Sequence, residues 1–540
     1  MSWTGWLIFV LVIQVVHFLG TWKLYVKAGR QAWEAGVPVY NAVVLMKIIN
    51  RPWWWTILLF IPVVNLIIFP VVWVETIRSF GRNSTADTLL AIFTCGLYTY
   101  YIAYTQELSY IEDRSLQPGS AAGEWISSIL FAVVAATIVH TYVMQPFTIP
   151  TSSLEKTLLV GDFLFVSKFH YGARTPMTPI AFPMVHDTIP VAGVKSYSDE
   201  PQIPYFRFPG FQKIKHNDIV VFNWPVDTLV DINPRTMRGS VQKPIDKKSN
   251  YVKRCVGLPG DSLEVRDGRV FINGKPNVLP ERAKLQFAYK IFSKKILVKK
   301  DPQGNFLNQP NQYFSDRYNV SDMYATALDR ETGVYTYTAH LTDKAFELIK
   351  KHPDVLDVLS ARSTKDERGV GLFPNDISYS FTNDFFGPIY IPEAGKTVEI
   401  NIESIPFYKR IIEVYEGTEM GIDNKITQNG TEVLLNGTLI KDYTFKMDYY
   451  WLMGDNRNNS QDARSWGYVP FNHVVGKPVL VWMSWDGNAK GFANKVRWER
   501  LFTTVGGDGS PVSYLRYVLI GIVLLIGGNF FWKRRKSAKK

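Results

Sequence analysis

Cysteine is nearly absent from this chain, with only Cys95 and Cys255 among 540 residues. One lies in an apolar run near the N-terminus and the other in a polar stretch far from it, so a disulfide-stapled fold is excluded and both are expected to be buried thiols. The eight histidines include no H-x-x-x-H and no cluster with cysteine. That argues against a zinc site, and no metal or cofactor is expected. A cleaved leader is lacking as well, because residues 2–22 have neither a basic start nor a small-residue cleavage site. The net charge of +12 comes without any basic motif interleaved with aromatics, so nucleic acid is not an expected partner.

What the chain does have is long apolar runs at both ends. SWTGWLIFVLVIQVVHFLGTW (2–22) is uncharged, long enough to cross a bilayer, and carries Trp3, Trp6 and Trp22 where interfacial aromatics belong. Trp53 to Val74 is a second run that Pro62, Asn65 and Pro70 should kink or break. Leu89 to Tyr104 is shorter and Tyr-rich, Trp125 to Met144 is a full span, and Tyr514 to Trp532 is another, stopped by KRRKSAKK. The chain therefore reads as a multi-span membrane region (1–124), a transmembrane helix (125–144), a polar and strand-rich outer region, a C-terminal transmembrane helix (513–532) and a basic tail (533–540).

That tail places the C-terminus in the cytoplasm by the positive-inside rule, and residues 145–512 outside. Four spans ahead of that region put the N-terminus outside too. The 23–51 loop, with Lys23, Lys27, Arg30, Lys47 and Arg51 against Glu34, then falls inside. If Leu89 to Tyr104 is not a span, the parity changes and the N-terminus moves inside.

The outer region begins with IPTSSLEKTLLVGDFLFVSK (149–168). Ser153 and Lys156 have the S-x-x-K spacing that places serine and lysine one turn apart on a helix. Against a helix, Gly161-Asp162 signals a turn, and the aromatic, β-branched run after it predicts a strand from Phe163 to Lys168. A base for Ser153 is therefore expected from elsewhere. Further on, 217–225 reads as a turn and a short buried strand, 250–256 as a second strand, and 262–274 as a hairpin with Asp267-Gly268 at its tip. Residues 145–284 thus form the first part of a β core and 441–512 the second. Between them, 285–440 has longer loops, scattered strands and one helical stretch from Thr342 past Pro353, and reads as an inserted α+β subdomain.

The order of motifs resembles bacterial signal peptidase I, a membrane-anchored serine endopeptidase. IPTSSLEKTLLVGDF is similar to its nucleophile box, DIVVFNWP to its middle strand, YVKRCVGLPGD to its lysine box and GDNRNNSQDARSWGYVP to its closing loop. The likeness extends through VWMSWD (481–486) but covers neither the first 120 residues nor most of 285–440. It implies a membrane-anchored, mainly β fold with an extracytoplasmic catalytic domain in a multi-pass protein of the bacterial inner membrane. The implied reaction is removal of signal peptides from exported preproteins after small residues, through an acyl-enzyme.

By position, the resemblance makes Ser153 the nucleophile and Lys253 its base. It makes Thr151 an oxyanion donor beside the Ser153 N–H, Ser460 the residue that hydrogen-bonds the lysine, and Asp462 with Arg464 a supporting pair. Asp455 and Arg457 are expected to be loop scaffolding. Phe147, Ile149, Leu154, Leu158, Leu164, Tyr251 and Val252 would line substrate pockets, although each taken alone reads more readily as an ordinary core position. One departure stands out: the family carries Met, a variable residue and Pro after the serine, and this chain has Leu154, Glu155 and Lys156.

The chemistry supports the lysine assignment independently. A lysine serves as base only when neutral, which requires desolvation that lowers its pKa by roughly 3 units. On a strand Tyr251, Lys253 and Cys255 share a face while Arg254 points away. Lys156 has Glu155 beside it to favour its charged form. Ser152 is expected to face away from Thr151 on extended backbone. Three other readings remain: an S-x-x-K acyl-enzyme using Lys156, which lacks the companion S-D-N and K-T-G motifs; a membrane-anchored assembly or binding protein with an inactive core; and a self-cleaving repressor, which lacks DNA-binding helices.

Overall fold

The computed structural model describes residues 3–118, 120–227, 242–489 and 491–537, so the end of the basic tail lies outside the described residues. The chain folds as two units. One takes in residues 1–144 with 172–209 and 228–248, and the other holds the remainder.

Among the described residues of the first unit, two helices are long and apolar enough to cross a membrane, Thr4–Lys27 and Ala121–Val143. The run from Trp53 to Val74 is broken, as its prolines predict. It forms a short helix Trp55–Leu58, a bend where Val63 has φ 69°, and a helix Asn65–Ser79 that contains Pro70. Leu89 to Tyr104, expected as a span, is instead two helices, Thr85–Phe93 and Tyr98–Thr105. They part at Cys95 (φ 51°) and Gly96 (φ 81°), a left-handed step that no continuous helix can contain. Cys95, expected to be buried, is exposed at that step. The second short helix lies along the first long one, with Tyr104 donating to Leu19 O at 2.8 Å. Glu75, buried in this unit, is paired with Arg51 at 3.4 Å and with Arg114. The excursion 172–209 belongs here as well: Trp6 donates its indole N–H to Gln202 O at 3.0 Å, and Val63 packs with Ala181 and Tyr197.

The second unit is built on an eight-stranded sheet. Its order is Met144–Thr148, Asp162–Ser167, Val474–Ser484, Ile219–Asn223, Asn250–Gly257, Tyr449–Met453 and Val469–Pro470, with Thr503–Thr504 also paired to Val474–Ser484. Alternation along these strands fills two apolar clusters. Ile149, Leu154, Leu158, Leu164, Ile219 and Val221 pack in one, and Val220, Phe222, Cys255, Leu452 and Trp466 in the other. The hairpin forms as predicted, from Ser262–Arg266 and Arg269–Ile272, with positive φ at both Asp267 and Gly268.

The stretch read as one insertion carries two cores. Residues 287–360 make a four-stranded sheet, ordered Met323–Asp329, Val334–Leu341, Phe287–Ser293 and Val355–Ser360, over a core that includes Phe287, Ile291, Phe314 and Tyr337. From Phe386 onward the chain instead packs with the 262–272 hairpin and with Trp451 and Tyr468. The helix beginning after Thr342 stops at Ile349 rather than passing Pro353. A proline disfavours helical backbone at the residue before it. Leu515–Arg535 is the third helix long and apolar enough to span a membrane.

Candidate active site

Ser153 sits in the short turn Ser152–Leu154, entered from extended backbone at Thr151 (φ −129°, ψ 157°). Leu154, fully buried in the apolar cluster, anchors the turn from below. Lys253 lies mid-strand in Asn250–Gly257, opposite Val220 in an antiparallel ladder. The two meet: Lys253 Nζ is 2.6 Å from Ser153 Oγ, and the residues are 3% and 7% exposed. The ammonium stands 5.5 Å from the Tyr251 ring, which stacks on Trp224 and meets Trp466 edge-on. Burial in this aromatic setting pushes Lys253 down to about 8, against the pull of the Asp462 and Asp455 carboxylates.

The closing loop holds the turn by backbone contacts. Asn456 N donates to Ser153 O at 3.0 Å and its side chain to Ser152 O at 3.2 Å. A side chain on Gly454 would come within 2.6 Å of Ser153 O and 2.2 Å of Ser460 Oγ, so only glycine fits this approach. Asp462 accepts Gly454 N at 3.0 Å and the Arg464 guanidinium edge-on, Nε at 2.9 Å and Nη2 at 2.8 Å. Burial alone would raise Asp462, but Arg464 overrides it and holds the carboxyl below its ordinary value. Asp455 pairs with Arg254 at 2.6 Å, not with Arg457, and also accepts the Thr157 hydroxyl at 2.7 Å. Arg457 donates instead to Gly268 O. Asn456 and Asn459 were not singled out from the sequence, although GDNRNNS offers three amides in one loop.

Several expected placements differ. The Ser460 hydroxyl is buried beside Gly454 and makes no hydrogen bond among the described residues, so the expected bond to Lys253 is absent. Ser152 is in the turn rather than on extended backbone, and its hydroxyl accepts from Asn459 at 3.1 Å. Glu155 does favour the charged form of Lys156, but burial outweighs it and lowers that lysine too. Lys156 Nζ is directed to Asn319 Oδ1 at 3.0 Å. Ile149, Leu154, Leu158 and Leu164 are buried and Phe147 and Val252 pack against them, so these residues form a continuous apolar floor, while Tyr251 belongs to the opposite cluster. A cavity of about 320 Å³ opens beside the turn, lined by Lys156, Thr157, Leu158, Val481, Arg500 and Val505 among others. Trp482 stacks on Phe165 and stands edge-on to Phe163.

Comparison with known proteins gives two family matches. Residues 33–113 match a family of unknown function (DUF5684). Residues 122–316 and 391–485 match the family described as signal peptidase, peptidase S26. The chain is similar to signal peptidase I of Haemophilus influenzae, 24% identical over 405 residues that cover 74% of this chain and 80% of that protein. It is likewise 24% identical over 401 residues to signal peptidase I of Helicobacter pylori, covering 71% and 92%. Signal peptidase I of Rickettsia canadensis is 30% identical over 165 residues, 31% of this chain and 48% of that protein. The family match takes in more than half of the chain, including the Ser153 turn, the Lys253 strand and the closing loop, and it joins a membrane-anchored β domain to a peptidase: the chain belongs to the signal peptidase S26 family.

Proposed function

We propose that this protein removes signal peptides from exported preproteins with Ser153 as nucleophile and Lys253 as general base. The observation that carries the reading is the 2.6 Å contact between Lys253 Nζ and Ser153 Oγ inside an apolar wall. A serine hydroxyl needs an adjacent base, and a lysine qualifies only where its charge is disfavoured. Neutral Lys253 takes the Ser153 proton as Oγ attacks the scissile carbonyl. The resulting oxyanion is held by the Ser153 N–H and the Thr151 hydroxyl. The ammonium returns the proton to the departing amine, and the mature protein leaves. Water, deprotonated by Lys253, then attacks the acyl-enzyme; the ammonium returns that proton to Ser153 Oγ as the ester bond breaks, and the signal peptide leaves with a free carboxyl end.

The substrate lies as an added strand along the segment leading to Ser153. Met144–Thr148 is the outermost strand of the sheet, which supports that placement. Side chains before the cut rest on the floor made by Ile149, Leu154, Leu158 and Leu164, with Phe147, Val252 and Tyr251 at its margins.

The protein is a multi-pass protein of the bacterial inner membrane with this domain on the extracytoplasmic side. Among the described residues two helices long and apolar enough to span, Thr4–Lys27 and Ala121–Val143, precede the domain, and taking these as the spans puts the N-terminus on its side. The bond from Trp6 to Gln202, a residue that comes after strand Asp162–Ser167 in the chain, supports this, and Lys27, Arg30, Lys47 and Arg51 then face the cytoplasm. The test of function is purified protein in detergent with a preprotein, the cut site read by mass spectrometry. One cut after a small residue, lost in Ser153→Ala, is the expected result. No cut, or one that survives the substitution, refutes the reading. Labelling of an introduced N-terminal cysteine by a membrane-impermeant reagent in whole spheroplasts checks the orientation.

A further inference from the structure

A loop of the inserted sheet brackets the turn that carries Ser153. Helix Gln312–Tyr318 ends at Asn319, whose left-handed backbone (φ 53°) redirects the chain toward the strand Met323–Asp329. From this loop the Asn319 carboxamide oxygen accepts the Lys156 ammonium at 3.0 Å. Three residues on, Asp322 Oδ2 accepts from Asn459 Nδ2 at 3.0 Å, and the same nitrogen donates to the Ser152 hydroxyl at 3.1 Å. His340 Nδ1 meets that Asp322 oxygen at 2.6 Å, which fixes the carboxylate to the neighbouring strand Val334–Leu341.

The turn needs outside support. Lys156 has φ 69°, a conformation that costs a residue other than glycine on the order of 1 kcal/mol and persists only when its surroundings impose it. A proline after the serine would restrict the turn covalently by locking φ. This chain has Glu155-Lys156 there, and Lys156 is the residue that Asn319 holds. The bracketing loop also falls in residues 317–390, between the two segments that match the family.

We propose that the 319–322 loop is a positioning clamp for the nucleophile: Asn319 on Lys156, and Asp322 through Asn459 on Ser152, hold the turn so that Ser153 Oγ meets both Lys253 and the scissile carbonyl. The proposal rests on the Ser153–Lys253 reading. None of these residues touches the reacting atoms or belongs to the apolar floor that receives the substrate; the floor's one member in the turn, Leu154, is held by the buried cluster and not by the loop. Loosening the clamp therefore misplaces the nucleophile without weakening binding. A displacement of about 1 Å at a reacting atom can lower turnover by as much as ~10²-fold.

The test compares four full-length proteins in detergent on one preprotein: wild type, Ser153→Ala, the double variant Asn319→Ala/Asp322→Ala, and Asp322→Asn. The last keeps an acceptor oxygen for Asn459. The double variant is expected to lose about tenfold or more in kcat with KM within about twofold and an unchanged thermal transition, while Asp322→Asn stays within about threefold of wild type. Wild-type kcat in the double variant, with Ser153→Ala inactive, overturns the clamp alone. A loss carried by KM, or matched by a falling thermal transition, also overturns it, because the residues would then serve binding or folding. Activity in Ser153→Ala overturns the dyad reading beneath it.

Discussion

The Ser152–Lys156 turn and the Asn250–Gly257 strand each bring a lysine out of water, and burial lowers the pKa of both. They differ in what surrounds the nitrogen. Lys156 has a carboxylate as its chain neighbour and an amide oxygen at 3.0 Å, both of which favour the ammonium. Lys253 has an aromatic wall, a serine hydroxyl at 2.6 Å and carboxylates already engaged by Arg254 and Arg464. Desolvation alone thus does not make a base. The nitrogen must also be aimed at the proton it takes, with no nearer group competing to keep it charged.

The largest effect should come from breaking this comparison at its centre. Ser153→Ala and Lys253→Ala are each expected to reduce turnover by about 10⁴-fold or more while the protein stays folded, and the double variant should be no worse, because the two act as one unit. Lys156→Ala should stay within about threefold of wild type, losing one arm of the turn's support and no chemistry. Single-turnover cleavage rates decide it: an inactive Lys156→Ala beside an active Lys253→Ala would reverse the roles.

Next in size is the oxyanion donor. Thr151→Val keeps the shape and removes the hydroxyl, so kcat should fall by roughly 10²- to 10³-fold with little change in KM, and Thr151→Ser should be close to normal. Ser152 is the competing donor on the same turn. Its oxygen accepts from Asn459, which ties the hydroxyl to the closing loop but leaves its proton to donate. Full activity in Thr151→Val would mean that the backbone N–H suffices or that Ser152 supplies the hydroxyl.

Ser153 and Lys253 were paired through the resemblance, and the contact between them agrees with that pairing; what the residues alone offered was a serine in a turn before a strand and a lysine alternating with Tyr251 and Cys255. The hairpin at Asp267-Gly268 was legible because turn chemistry is written in two adjacent residues. The broken helix at 95–96 was not. Thr94-Cys95-Gly96 carries no proline, and the apolar run through it has helical length; the left-handed step goes with Tyr98–Thr105 packing along the first long helix. The pairing of Asp455 with Arg254 was equally hidden, because the partner comes from a strand two hundred residues away. Ser460 was placed by analogy, and its hydroxyl lies against Gly454 instead of on the lysine.

The pH profile sharpens the contrast further. With Lys253 pushed down to about 8, kcat/KM should rise about tenfold per pH unit up to that point and level off above it. Lys156→Ala should leave the midpoint in place. A midpoint that moves in that variant would couple Lys156 to the titrating base, and a rate that is flat between pH 6 and 9 would remove Lys253 from the proton transfer.

The smallest effect separates the two lysines by stability. Below pH 8 the folded protein must carry Lys253 charged in a site that resists charge, whereas the unfolded chain leaves it near its ordinary 10.5. That difference corresponds to about 3 kcal/mol withheld from folding at neutral pH. Between 8 and 10.5 the folded form releases its proton first, the unfolded chain holds more protons, and the penalty disappears. Lys253→Met should therefore be inactive yet more stable than wild type at pH 7, with the gain shrinking as pH rises through this window. Lys156→Met should gain less, because it also gives up the bond to Asn319. Chemical denaturation at pH 7 and pH 10 reads both. A Lys253→Met protein less stable than wild type at pH 7 would mean that the strand accommodates the ammonium, and the proposed base would then lack the desolvation on which its chemistry depends.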